Sequence, residues 1–328
     1  MAKRIDWESQ IGRRLKLRDL HVFFTAVQRG SMAKAAQQLG VSQPAVSEII
    51  ADLENALGVR LLDRHPQGVE PTKYGDALIK RSTVVFDELK QGVREIDFLA
   101  DPTAGEVTFG CPEWMAAILS PVIERFATQN PRVLLRTYNV TQPLDLAELH
   151  ARKVDFTLGH FVKSLPDDHF IDDLNVEVLF DDHLVVATGM SSPWARRRRI
   201  DLAELLDEPW ILAEAPASWN YSVIAEAFRT RGLRMPKISV MTFSVHLRMA
   251  MLNSGHFITT FPSAIPRLHV DRQSIKVLPV DLPDRPWPVA IATVRNRTLN
   301  PVVERFIEQI RDFTRPMRSR QMRDRAIK

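Results

Sequence analysis

Cysteine is almost absent: Cys111 is the only one in 328 residues, so no disulfide can form within the chain. No apolar run approaches the roughly 20 residues that span a bilayer. Met1 to Gln10 is charged and lacks the apolar core of a signal peptide. No glycine-rich phosphate loop and no cluster with metal-ligand spacing occurs, so neither a cofactor nor a metal is expected. These absences exclude a secreted disulfide scaffold and a membrane span, and they leave a cytoplasmic protein with no membrane partner. Net charge is a modest +4, with 45% of residues hydrophobic and 26% charged. A large core can form without staples, and the length suits two or three domains.

What charge there is lies at the ends. Residues 1–18 hold six basic side chains against two acidic, and residues 311–328 hold seven against two. Basic ends can add salt-dependent attraction to DNA phosphates. They can also simply keep a chain soluble, which is the reading preferred for the C-terminal run. Arg196 to Arg199 follows Ser191-Ser-Pro193 and reads as a solvated loop.

The most informative stretch is Ser31-Met-Ala-Lys-Ala-Ala-Gln-Gln-Leu-Gly-Val-Ser-Gln-Pro-Ala-Val-Ser47. Ser31 can cap one short helix and Gly40 can end it in the left-handed conformation. Ser42 can cap a second, with Pro44 in its first turn. Val46, Ile49, Ile50, Leu53 and Leu57 then form one apolar stripe. Gln43, Ala45, Ser47, Glu48 and Ala51 lie on the other face. Two helices joined by a tight turn, with small and amide side chains outward, make a helix-turn-helix that fits the DNA major groove. The competing reading is a helical hairpin in an ordinary core.

A first helix, Leu17 to Arg29, precedes this pair and places Leu20, Phe23, Phe24 and Val27 on one face. After Leu57-Gly58, two extended pieces flank His65-Pro-Gln-Gly68 and suggest a β-hairpin wing, with Arg64 and His65 near its tip. A long helix from Thr72 to about Leu99 carries Leu78, Val85, Leu89, Ile96 and Leu99 at coiled-coil spacing, with Ser82 and Gly92 in the gaps. It suits pairing between two copies of the chain, or packing on its own domain. Asp101-Pro-Thr-Ala-Gly105 reads as a hinge.

From Glu106 strands and helices alternate. Strands are expected at 106–110, 133–139, 154–159, 182–188, 238–242, 256–261 and 289–294. Helices are expected at 112–129, 143–152, 220–230, 245–253 and 301–313. That alternation argues for α/β units around mostly parallel sheets.

The chain resembles a LysR-type transcriptional regulator. The resemblance runs without gaps through Phe24, Ala35-Ala36, Leu39-Gly-Val-Ser-Gln-Pro-Ala-Val-Ser47, Ile50, Leu53-Glu54, Leu57-Gly58, Arg60-Leu61, Arg64, Thr72 and Gly75. Looser landmarks are Leu202-Ala-Glu-Leu-Leu-Asp-Glu-Pro-Trp210, Ser254-Gly-His-Phe-Ile258 and Phe261-Pro262. It implies an N-terminal winged helix-turn-helix, a dimerising linker helix and a two-lobed effector domain built like a periplasmic binding protein. The implied divisions are a basic extension at 1–16, the DNA-binding domain at 17–75, linker and hinge at 76–104, the effector domain at 105–315 and a basic tail at 316–328. Within the effector domain, lobe I takes 105–161 and 286–315, and lobe II takes 162–285. The implied partners are operator DNA, a small-molecule effector, RNA polymerase and further copies of the chain as a homodimer or homotetramer. Departures are Glu48, where many members have Arg, and Leu62 and Pro71, where Phe and Leu are more usual.

The expected duplex contacts are Ser31, Ser42, Gln43, Pro44, Ala45, Ser47 and Arg64. Gln43 can pair with adenine, and Pro44 and Ala45 can touch thymine methyls. Simple capping or exposure is the competing reading of each. In a two-lobed binder, ligand sits where strands end and helices begin. By matching of elements, that places Cys111, Glu113, Trp114, Asn139, Thr141, His160, Phe161, Ser218, Trp219, Asn220, Thr242 and Ser244 at the effector site, beside Phe243. The aromatics can wall a ligand or pack in a core. The polar set suits a sugar-like compound or a small aromatic acid, and Glu113 disfavours a strongly anionic one. An enzyme built on Cys111, His160 and Asp155 has no support in spacing, so none is expected. A solute-binding sensor without promoter control is the alternative.

Overall fold

Left-handed glycines cut the start of the chain into three helices. The computed structural model describes residues 15–140, 146–160, 173–213, 219–268, 274–283 and 285–326, apart from the side chains of 219 and 319–326. Helix α1 (Leu17–Arg29) ends on Gly30 at φ 60°, and α2 (Met32–Leu39) ends on Gly40 at φ 67°. The Ser31 hydroxyl accepts the Lys34 N–H at 3.4 Å. The Ser42 hydroxyl accepts the Ala45 N–H at 3.3 Å and opens α3 (Gln43–Leu57), with Pro44 in its first turn. Phe23, Ala35, Val46, Ile50 and Leu53 are buried together between the three helices. Burial of each large side chain stabilises the fold by roughly 1.5–3 kcal/mol.

Strands β1 (Leu62–His65) and β2 (Gly68–Pro71) form the antiparallel wing, with Arg64 opposite Val69. Two devices bolt it down. The Glu54 carboxylate accepts the Leu61 and Leu62 N–H groups at 2.7 and 3.2 Å, and the Val69 N–H donates to the Gly30 carbonyl at 3.0 Å. A Cβ on Gly68 would meet that carbonyl oxygen at 2.1 Å, so only glycine passes. Leu62 is buried despite its departure from the usual aromatic residue.

Helix α4 (Lys73–Ala100) follows. Leu78 packs on the first core instead of joining a free seam. Val85, Leu89, Val93, Ile96 and Leu99 are exposed, Leu99 by 74%. The chain forms two compact units, Met1–Gly92 and Val93–Lys328.

The second unit holds two five-stranded sheets. Its elements are β3 (Ala104–Cys111), α5 (Glu113–Gln129), β4 (Arg132–Asn139), α6 (Ala147–His150), β5 (Phe156–His160), β6 (Leu174–Asp182), β7 (Leu184–Gly189), β8 (Trp210–Leu212), α7 (Trp219–Arg229), β9 (Ile238–Met241), α8 (Val245–Leu252), β10 (Ile258–Pro262), α9 (Ala264–Leu268), β11 (Ile275–Val277), β12 (Trp287–Val294) and α10 (Pro301–Ala326). The lobe I sheet runs β4-β3-β5-β12-β6 and the lobe II sheet runs β11-β7-β10-β8-β9. In each sheet two neighbouring pairs are parallel and two antiparallel. The expectation of mostly parallel sheets is corrected: β12 returns from lobe II and runs against both of its neighbours.

Other expectations also shift. The strand expected at 182–188 is two strands, β6 and β7, broken at His183. Strand β6 pairs with β12 along its whole length, so residues 174–182 belong to the lobe I sheet and the chain passes on to the lobe II sheet at His183; Phe161, at the expected crossover, lies outside the described residues. The Asp182 Oδ1 pins this crossover, accepting from the His183 N–H and from the Ser263 N–H and hydroxyl at 2.7, 2.9 and 2.7 Å. Burial raises the Asp182 carboxyl above the usual range, against the pull of those bonds. Helix α10 continues past Phe313 to Ala326.

Asp155, at the start of β5, gathers the second unit. Its carboxylate accepts the Thr108 N–H at 2.9 Å and the Arg94 guanidinium at 3.2 Å, with Arg297 at 3.6 Å. Arg297 and Asp155 side chains are 1% and 3% exposed. Removing one member of such a buried pair costs about 3–5 kcal/mol, because the partner charge stays behind. Asp155→Ala is expected to lower the urea unfolding free energy of the chain by that amount; a loss under about 1 kcal/mol would show the cluster to be incidental.

Candidate duplex-reading face and effector cleft

On the first unit, Ser42, Gln43 and Pro44 are exposed at the start of α3, and Ala45 is half-buried. Ser47 is half-buried and turned inward, its hydroxyl donating to Met32 Sδ at 3.2 Å. Ser31 is half-buried and committed to its cap, while Arg64 stands exposed on the wing. The first turn of α3 thus presents a capped N-terminus with one amide and one ring outward. Two exposed cations carry no sequence signal of their own, Arg29 at the end of α1 and Lys34 in α2. Glu54 is legible in sequence only as part of a motif; its two bonds to the wing link positions seven and eight apart across a turn, which no spacing announces.

In the second unit the lobes meet at Glu113. This first residue of α5, in lobe I, reaches the N-terminus of α8, in lobe II. Its Oε2 accepts the Val245 N–H at 3.1 Å and its Oε1 the His246 N–H at 3.0 Å. Ser244 caps the same helix by accepting the Leu247 N–H at 3.2 Å, and Thr242 Oγ1 accepts the Ser244 N–H at 3.1 Å. Arg248 is buried behind them. Its guanidinium donates to the Thr260 carbonyl at 2.7 Å and stacks 4.8 Å from the Phe261 ring centre. Burial pushes it down to about 10, opposed by the charge of Glu113. A groove of about 460 Å³, lined by Glu113, Ala117, Val245, His246, Met249 and Asn253, runs beside the contact.

Next to Glu113, Trp114 stacks on His160 at 4.3 Å between ring centres, and Trp287 stacks on the other face at 3.6 Å. Trp287 falls two residues before the strand expected from Val289, so the sequence does not mark it. His160 is fully buried, which holds it well below the ordinary imidazole value. Cys111 is buried at the end of β3, and burial pushes its thiol up to about 12, so it stays protonated and inert. Asp155 is bound to Arg94 and Thr108.

Asn139 is exposed at the end of β4, and Asn220 is half-buried in the first turn of α7. Thr141, Phe161 and Ser218, and the side chain of Trp219, lie outside the described residues. Glu113, Trp114, His160, Thr242 and Ser244 therefore converge, and the β3–β4 register sets Asn139 opposite Cys111, two residues before Glu113. Among the described residues no helix is long and apolar enough to cross a membrane, and no group of three or more His, Cys, Asp or Glu is placed to hold a metal ion.

The buried imidazole has a measurable consequence. Its folded value lies below the unfolded value of about 6.5, so its contribution is complete above pH 6.5 and is lost as pH falls toward the folded value. In urea unfolding between pH 7 and pH 5, the parent should lose up to about 1.4 kcal/mol per pH unit more than His160→Gln. Equal losses in both would assign the slope to other groups.

Residues 17–76 match the family description "Bacterial regulatory helix-turn-helix protein, lysR family", and residues 100–315 match "LysR substrate binding domain". The HTH-type transcriptional regulator GbpR of Azospirillum brasilense is 27% identical over 290 residues, covering 88% of this chain and 83% of that protein. TdcA of Escherichia coli K12, also described as an HTH-type transcriptional regulator, is 29% identical over 248 residues, covering 75% and 77%. A full-length point variant of OxyR from Pseudomonas aeruginosa shares the fold, with a TM-score of 0.62 at 22% identity over 92% of this chain and 95% of that one. The chain belongs to the LysR family: it is a transcriptional regulator with a DNA-binding helix-turn-helix and an α/β effector-binding domain, and a solute-binding sensor without promoter control is not favoured.

Proposed function

We propose that this regulator reads promoter DNA with the first turn of α3, where Ser42, Gln43, Pro44 and Ala45 enter the major groove. Arg64 reaches a phosphate or the minor groove, and Arg29 and Lys34 add phosphate contacts. Ser47 lines the base of that turn, and Ser31 contributes through its cap. The observation that carries this reading is the free, capped N-terminus of α3 with Gln43 and Pro44 exposed. The effector, a sugar-like compound or a small aromatic acid, occupies the cleft bounded by Glu113, the Trp114–His160–Trp287 stack and the Thr242–Ser244 turn. Cys111, Asn139 and Asn220 are assigned to it from their places at element ends, and Thr141, Phe161, Ser218 and Trp219, which lie outside the described residues, from sequence alone. Effector binding changes contact with RNA polymerase and involves no catalysis. The protein acts in the cytoplasm.

The chain pairs with a second copy through α4. Val85, Leu89, Ile96 and Leu99 recur at steps of four, seven and three along its exposed side, which is the seam of a coiled coil. The double change Leu89→Glu and Ile96→Glu is expected to raise the dimer dissociation constant at least tenfold in sedimentation or light scattering; an unchanged mass at micromolar concentration would reject the seam.

Gln43→Ala is expected to cost roughly 1–3 kcal/mol of specific binding and to relax base preference at one position. A mobility-shift titration with unchanged affinity and selectivity for the operator would reject the groove assignment.

A further inference from the structure

We propose that Glu113 is a built-in anion of the effector cleft: it latches the two lobes together and selects against effectors that would set a carboxylate on the α8 N-terminus. This rests on the reading of the cleft as an effector site, and it narrows the two effector classes to the uncharged, hydroxylated one.

The first N–H groups of a helix have no partners within it, and the helix dipole makes them attractive to anions. In α8 those donors are already taken. Val245 and His246 give theirs to the two oxygens of Glu113, and Leu247 gives its own to Ser244. Glu113 lies 132 positions before Val245 and in the other lobe, so the contact spans the cleft. Hydrogen bonds to a carboxylate are about twice as strong as those between neutral groups. Arg248 sits at the same end of α8 and adds positive charge, yet its own donors go to the Thr260, Phe243 and Ser244 carbonyls. Glu113 is thus the carboxylate to which this positive corner answers.

The lobes also share apolar contact here. Val245, Phe261, Ala264 and Ile265 of lobe II belong to the same buried cluster as Met115, Ile118 and Leu119 of α5. An effector carboxylate aimed at α8 must therefore expel Glu113 and leave two like charges at close range in a half-buried place. A ligand that offers hydroxyls meets no such competitor.

The test is chemical rescue, read by thermal melting of the full chain. Glu113→Ala should melt below the parent. Sodium acetate, at matched ionic strength against sodium chloride, should raise the variant's Tm by at least about 2 °C and leave the parent unmoved. An acetate response that is absent in the variant, or equal in both chains, overturns the proposal. Glu113→Gln keeps the side-chain shape but not the charge. In amide hydrogen exchange, Val245 and His246 should exchange at least tenfold faster in it than in the parent, with Leu252 as internal reference. Unchanged exchange at both amides overturns the proposal even if the alanine variant does not fold. Neither readout uses DNA or an effector, so failure here leaves the regulator reading intact, and failure of operator binding leaves this one intact.

Discussion

The second unit depends on one buried carboxylate. Asp155 draws Arg94 of α4, the Thr108 N–H of β3 and Arg297 after β12 to a single point. A buried ion pair adds little net stability, since desolvation offsets attraction. Its effect is positional: three segments far apart in sequence cannot move independently without exposing or stranding a charge. Strand β5 begins at the next residue and ends at His160, so the same strand that is clamped to the linker helix at one end carries the aromatic stack at the other. Parallel pairing with β3 aims both strand ends at the cleft, where open α/β sheets receive ligands.

Helix N-termini organise the rest. Ser31, Ser42 and Ser244 each satisfy an N–H of their helix from the adjacent residue, and for α2 and α3 the side-chain cap is wholly local. Helix α8 departs from that pattern because two more of its donors are met from another lobe. A local cap fixes a boundary, whereas a remote one fixes the distance between two bodies. That difference separates the first unit, whose sites are surfaces, from the second, whose site is a gap.

The same distinction decides what can be read from sequence. The helix-turn-helix is legible because its determinants are local: a serine, a proline in a first turn and a left-handed glycine act within four residues of themselves. The strand Leu174–Asp182 is missed although Leu174-Asn-Val-Glu-Val178 alternates apolar and polar residues; its Val176 and Val178 are exposed, so the alternation marks no buried face there. Trp210–Leu212 is three residues long and Ile275–Val277 no longer, too short for any period to show. Half of the sheet contacts are antiparallel because β12 runs against both of its neighbours in lobe I and β7 against both of its neighbours in lobe II. In the cleft, Glu113 and His160 can be named from their places at element ends. That Glu113 caps α8, and that Trp287 covers His160, depends on lobes meeting, which no spacing encodes.

The exposed side of α3 constrains how it can approach a duplex. Beyond the first turn, that side carries Glu48, Asp52 and Asn55, and no Lys or Arg. Two carboxylates laid along a phosphate-lined groove are repelled, and no counterion is released in compensation. The N-terminal end differs: its helix dipole favours phosphate oxygens, and Gln43 and Pro44 project from it. An end-on approach keeps Glu48 and Asp52 away from the nearer backbone and lets Glu48 face only a base edge, where it can accept from cytosine N4. The cations must then come from neighbouring elements, and Arg29, Lys34 and Arg64 are exposed on α1, α2 and the wing. The division of labour follows from charge alone: α3 is suited to discriminate between bases, and the surrounding elements to supply the attraction that brings it there.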